Sequence, residues 1–350
     1  MAFSTTASIA SQENLMSLVS AFAVARGWTE DNFSAGNTKM SLHKGNCYVH
    51  FHWGDTSALI ATMGSSIQMY QSLGFTAAGT DSWAHPDDSQ NGANSTANFH
   101  QERGIKFIGP GPYTSLSMHG HTDTDVIYCI LEINPGNYRH FAFGNIVKAG
   151  SWTGGEFVAG HHWAADASFA YYTSPNSSVH SILLDGQASS TSTSPYYTST
   201  RMNATMHLDG LPNQETENPH WAIVGNWEHL QSPLSTDGRD ANQRAVIQGC
   251  VRNSMNLQGM GYLSPDLAKG YVPIIPMDLY YFDFNGTASE DMYYLGRMHN
   301  IGHIQMTGIS PQQVVTVGGN DWVVYPGVRK SKTAIPGTAE SWNMGIIYKK

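Results

Sequence analysis

The residues best suited to chemistry in this chain are its 16 histidines, and the sharpest constellation among them is His119-Gly-His121-Thr-Asp123. Neutral imidazoles are good zinc ligands, and a nearby carboxylate can hold a second metal or orient a metal-bound water. His50-Phe-His52 places two imidazoles on one strand face, because side chains on a strand alternate with a period of two, and His161-His162 places two more in a glycine-rich stretch. Other chemistry is sparse. Gly64-Ser-Ser-Ile-Gln68 lacks the closing glycine of a nucleophile elbow, and no phosphate-cradling loop, dinucleotide fingerprint or EF-hand loop is present. Cys47, Cys129 and Cys250 are widely spaced with no C-x-x-C, so no disulfide framework is expected. Cys47 and Cys129 lie in apolar strand-like runs and read as small buried hydrophobes.

The His-x-His-x-Asp spacing resembles the metal-binding core of metallo-β-lactamase-type zinc hydrolases. That family continues with a histidine directly after the aspartate, where this chain has Thr124, and it sets the motif in a βαβ loop that the flanking sequence does not suggest. Between the strand-like runs Tyr113–Met118 and Val126–Ile133, the residues His119, Gly120, His121, Thr122 and Asp123 read instead as a polar hairpin turn. His119, His121 and Asp123 remain the candidate metal ligands. On balance no cofactor and no enzymatic activity is expected, and His50 and His52 read as exposed histidines on an aromatic-rich strand.

Composition narrows the function classes. Charged residues are 13% of 350, against roughly 25% in ordinary globular domains. Eighteen Lys and Arg against 27 Asp and Glu leave a net charge of −9, which offers no overall basic field for nucleic acid. With 41% hydrophobic residues, nine Trp, 17 Tyr and 13 Phe, the chain has enough apolar surface to fold. Few charges, many aromatics and 15 Met suit a surface partly covered by other protein. The first residues show neither a basic stretch nor a long apolar one, and no run approaches 18 apolar residues. A soluble product made in the cytoplasm, with no membrane partner, is therefore expected.

The elements that must position these residues are mostly strands. One helix is clear: Leu15, Leu18, Val19 and Phe22 recur at helical spacing, Ser11 is a suitable N-cap and Gly27 a stop. Beyond it the period becomes two. Cys47, Val49, Phe51 and Trp53 alternate with polar residues after a Lys44-Gly-Asn46 turn. Ser57 to Leu73 fits either a helix or strands, and Ala241 to Tyr262 a second helix or an irregular segment. Asp125–Ile133 and the run from Tyr138 form a hairpin across Asn134-Pro-Gly-Asn137, followed by a loop bearing Trp152 and several glycines. Strands return at Tyr293–Met298, Ile301–Ile309, Val314–Val317, Asp321–Tyr325 and Met344–Tyr348. The fold class is thus mainly β, with antiparallel sheets in a sandwich- or barrel-like arrangement, an N-terminal helix and long Gly/Ser/Asn-rich loops. Residues 1–35 form the helical segment and 36–350 the β-rich body, with insertions at 76–100 and 186–220.

Several stretches resemble a loosely defined set of virion proteins from the neck, tail and baseplate regions of tailed bacteriophages. They are Leu15 to Trp28; Tyr138-Arg-His-Phe-Ala-Phe-Gly-Asn-Ile-Val-Lys with Gly150-Ser-Trp-Thr-Gly-Gly155; Tyr294-Leu-Gly-Arg-Met-His-Asn-Ile301; Gly318-Gly-Asn-Asp-Trp-Val-Val-Tyr-Pro326; and Ser341 to Lys350. Together these cover 58 of the 350 residues, about a sixth of the chain, and none is an active-site motif. The resemblance implies a structural subunit of the virion (tail, neck or collar, or baseplate) that associates with itself and docks on other virion proteins. Trp152, Gly154 and Gly155 are the interface candidates. A receptor- or glycan-binding module is the alternative, with Tyr171-Tyr172, Pro195-Tyr-Tyr197 and Tyr280-Tyr-Phe282 as possible sugar-stacking ridges. A metal-dependent hydrolase at His119, His121 and Asp123 is the third.

Overall fold

Ala2–Ile9 forms the first strand, β1, and Ser11 then turns the chain into α1 (Gln12–Val24). Ser11 is extended, and its Oγ accepts the Asn14 N–H at 3.1 Å, while Asn14 Oδ1 accepts from Ala10 N–H. This reciprocal cap satisfies donors that the first helical turn leaves open. At the other end Gly27 adopts φ +80°, Trp28 N–H reaches back to Ala23 O and Gly27 N–H to Val24 O. That left-handed closure suits glycine. Leu15, Val19 and Phe22 are buried as their spacing required, with Leu18 packed at the margin. In this computed structural model residues 2–55, 65–77, 85, 105–107, 111–121, 125–160, 204–209, 221–224, 250–253, 265–284, 290–326 and 344–350 are described.

The smaller sheet comprises β2 (Thr29–Ser34), β3 (Lys39–Lys44), β4 (Cys47–Asp55), β5 (Ser65–Ser72) and β6 (Ile105–Phe107), paired antiparallel in that order. Gly45 and Asn46 connect Lys44 to its partner Cys47, as the sequence suggested. Cys47, Val49, Phe51 and Trp53 all face the core. The ambiguous stretch before Leu73 is strand in its described part, β5. His50 departs from its expectation of exposure. It is 1% exposed, held between Ser41 Oγ (2.9 Å) and Ser72 Oγ (2.7 Å), because the outer face of this sheet is itself covered, with Phe75 and His85 among the covering residues.

The larger sheet contains β1 with β7 (Tyr113–His121), β8 (Val126–Asn134), β9 (Asn137–Asn145), β10 (Val147–Lys148), β11 (Thr153–Gly160), β12 (Ala204–Asp209), β13 (Trp221–Val224), β14 (Cys250–Asn253), β15 (Ile275–Phe284), β16 (Glu290–Gln305), β17 (Val314–Val317), β18 (Asn320–Pro326) and β19 (Met344–Lys349). Its order is β1-β7-β8-β9-β11-β12-β13-β14-β15-β16-β19-β18-β17, with β10 on β16, and its pairs are antiparallel except β13 with β14. The expected hairpin is β8 and β9, turning at Pro135-Gly136, and the turn at Gly318-Gly319 joins β17 to β18.

Several expectations are corrected. The N-terminal segment is not purely helical: β1 pairs with β7, and β2 with β3. Ala241 to Tyr262 contains a strand, β14, and the tract 186–220 contains β12. Tyr293–Met298 and the residues after Ile301 are one strand, β16, whose two halves meet at Asn300 in the left-handed conformation. Residues 161–200, with His161, His162 and two of the tyrosine ridges, lie outside the described residues, as do 86–100.

The larger sheet folds back on itself, and β7, β8 and β9 become a middle layer. Along β8, Ile127, Cys129 and Leu131 enter a core shared with α1 and the smaller sheet. Val126, Tyr128 and Ile130 enter a second core shared with β15, β16, β18 and β19. Each such apolar side chain contributes about 1.5–3 kcal/mol by leaving water. Burial also raises the thiols of Cys47 and Cys129 well above the usual range, as suits inert core cysteines. The far layer has a further core behind it, built from Val272, Ile304, Met306, Ile309, Val315, Val324 and Ile347.

Candidate functional site

His119, Gly120 and His121 are not a turn. They are the last three residues of β7, paired with Tyr128, Ile127 and Val126. Gly120 lies on the opposite face from the imidazoles, under the end of α1, where a Cβ would meet Arg26 Cδ at 2.5 Å and Phe22 Cε1 at 3.0 Å. The glycine thus leaves room for the Arg26 and Phe22 side chains where the helix packs on the sheet. Strand alternation sends His119 and His121 the other way, into the seam between the middle and far layers. Asp123 lies outside the described residues.

The seam is an aromatic cluster built from four strands. Tyr348 of β19 lies between His119 (5.1 Å, 23° between planes) and His140 of β9 (5.8 Å, 16°), and Tyr325 of β18 meets all three rings edge-on. His140 Nε2 faces Pro326 O at 3.0 Å, so this nitrogen donates, and His140 Nδ1 accepts from the Tyr348 hydroxyl at 2.7 Å. His119 Nδ1 donates to Lys349 O at 3.2 Å, and its Nε2 has no hydrogen-bond partner among the described residues. His303 of β16 has none at either nitrogen. His121 Nδ1 faces Asn300 Nδ2 at 3.0 Å, and Tyr128 Oη donates to His299 O at 2.7 Å. Burial, with a smaller contribution from neighbouring imidazoles at His119 and His303, pushes His119, His140 and His303 down to about 3. Such rings are neutral and weakly basic at neutral pH, whereas general bases work best near the ambient pH. Among the described residues no three His, Cys, Asp or Glu side chains form a group able to hold a metal.

The interface candidates fall on β11 and the loop that joins it to β10. Trp152 is half-buried against the second core; its Nε1 donates to Ala149 O at 3.1 Å, and Lys148 Nζ lies 5.3 Å from its ring and donates to Trp152 O. Gly154 and Gly155 are not loop residues but buried members of β11, at a register shift opposite β12. Gly154 has φ +111°, and a Cβ there would lie 2.1 Å from His207 O. Beside it His207 is clamped between Glu156 Oε2 (2.8 Å, at Nδ1) and Asp209 Oδ2 (3.1 Å, at Nε2). Burial opposes protonation of His207, but the two carboxylates outweigh it and hold its pKa above the ordinary value. The carboxylates sit on opposite sides of the ring, as in a structural ion pair.

Of the tyrosine ridges, Tyr280 is described, in β15. It lies 5.3 Å from Tyr294 of β16, which is 44% exposed, and Tyr294 Oη donates to Asp278. Asp278 is also gripped by Arg297 through Nε (2.6 Å) and Nη2 (3.1 Å). Sequence reasoning missed His140, His303 and Tyr348 as partners of His119, since 21, 184 and 229 residues separate them in the chain and no local pattern links them. No protein-family model matches the chain, and no curated protein matches it.

Proposed function

We propose that the chain is a structural subunit of a tailed-phage virion, placed in the tail, neck or baseplate region, that works by self-association and by docking on other virion proteins. The observation that carries this reading is the larger sheet itself. Fourteen strands are spent on a layered scaffold, and its end strands, β1 and β17, each pair on one side only among the described residues. The low charge content and the stretches that resemble virion proteins support the same reading. Light scattering behind size-exclusion chromatography, for the chain alone and mixed with tail components, tests it together with a search for the chain in purified particles. Association and particle incorporation are expected; a strictly monomeric chain absent from particles overturns the reading.

A second reading, a glycan-binding module, is favoured by the Tyr280–Tyr294 pair beside the Asp278–Arg297 ion pair, which sets aromatic faces next to groups able to bond sugar hydroxyls. A glycan array that gives no signal, or one that survives Tyr294→Ala, counts against it.

A further inference from the structure

The larger sheet begins at β1, and β1 differs from the other end strands in how the side left unpaired among the described residues is furnished. Soluble proteins keep edge strands from pairing by charge, proline, a bulge or brevity. β2 carries Glu30 and Asp31 with a register shift between Glu30 and Asn32. β6 is three residues long and β17 four. β1 runs for eight residues, Ala-Phe-Ser-Thr-Thr-Ala-Ser-Ile, with no charge, no proline and no register shift against β7. Its inner side is firmly held: Thr5 Oγ1 lies 3.2 Å from Ser117 Oγ, the Phe3 ring lies 4.8 Å from that of His119, and Ile9 is buried. In an antiparallel ladder alternate N–H and C=O groups point away from the partner strand, and β7 is the only partner of β1 among the described strands.

We propose that β1 pairs antiparallel with β1 of a second copy of this chain, joining two larger sheets across a two-fold axis. This rests on the subunit reading above in taking self-association to be the chain's mode of action. A two-fold axis gives each strand the same set of donors and acceptors to meet in the other, so one edge serves both partners. Each copy carries −9, which sets most surfaces of two copies against each other, so the uncharged β1, the long edge of that kind among the described strands, is where they meet with least repulsion. Before the left-handed Ser8 (φ +59°), its exposed side chains, Thr5 and Ala7, are small enough to admit a strand at the ordinary spacing of about 4.8 Å.

The test uses the intact chain. Light scattering over a concentration series is combined with hydrogen exchange of the peptide covering residues 2–9, above and below the association midpoint. A dimer is expected, with exchange in that peptide slowed about ten-fold or more on association. Thr5→Lys, which sets like charges near the axis, is expected to weaken the dimer about ten-fold while leaving the circular dichroism spectrum unchanged. Thr5→Ser controls for loss of the threonine methyl and should associate as the parent does. A monomer at all concentrations overturns the proposal, as does association with unchanged exchange in residues 2–9 or undiminished by Thr5→Lys. The two readings fail separately. A chain that enters particles with β1 unprotected refutes the pairing alone; β1 pairing in a chain absent from particles refutes the virion role alone.

Discussion

At Gly154 a Cβ would sit 2.1 Å from the carbonyl oxygen of His207, at a φ of +111° that an L side chain rarely adopts. At Gly136 φ is also positive, +79°, but nothing lies within 4 Å of the same construction. The two positions separate backbone strain from steric collision. Gly136→Ala should cost about 1 kcal/mol, the strain alone, whereas Gly154→Ala should cost about 3 kcal/mol or more because β11 and β12 must also part. Urea denaturation of both variants checks this, and equal losses would show that β12 can yield. The comparison also changes the meaning of the Trp152 region. Gly154 is there so that β11 can approach β12, and the indole hydrogen bond of Trp152 is already made within the chain.

Between elements, the seam joining β7 and β9 to β16, β18 and β19 has a definite pH signature. Histidines with a folded pKa of about 3 and an ordinary unfolded value near 6.5 bind more protons when unfolded. Their penalty is therefore absent above pH 6.5 and grows as pH falls toward 3, by up to about 4 kcal/mol per pH unit for three rings acting together. The urea midpoint should fall accordingly. His303→Phe should flatten that slope by about a third and leave stability at pH 7 unchanged or raised, since His303 has no hydrogen bond to lose among the described residues. A slope that stays the same in the variant would place the acid sensitivity elsewhere. These elements were unequally legible in the sequence. Ser11, Gly27 and the apolar stripe announced α1, and Cys47 to Trp53 announced β4, because each is a local period with a local stop. β1 was silent: a Ser/Thr run with only Ile9 buried has no alternation to read. His119-Gly-His121 misled because a polar triplet normally marks a turn, whereas here the glycine answers to α1 and the histidines to strands that lie far along the chain.

On the scale of the molecule, the middle layer packs into a core on both faces among the described residues. Consecutive residues of β8 should then be equally sensitive, unlike those of a strand with one wet side. Ile130→Ala and Leu131→Ala, neighbours pointing into different cores, are each expected to cost about 2–5 kcal/mol in denaturant melts. A near-neutral result at either would mean that one of the two cores is loosely held. The position of β19 adds a constraint in time. It follows β18 in the chain yet lies between β16 and β18, and Tyr348 fills the space between His119 and His140. While the polypeptide is being synthesised, β16 and β18 cannot meet their neighbour until residues 344–349 have been made. The nascent chain can assemble α1, the smaller sheet and the meander of β7 to β9 early, but must carry an unfilled slot behind them. During that interval the slot presents two strand edges and a tyrosine-sized gap, which makes it the place where chaperones, or a strand from another molecule, would find purchase.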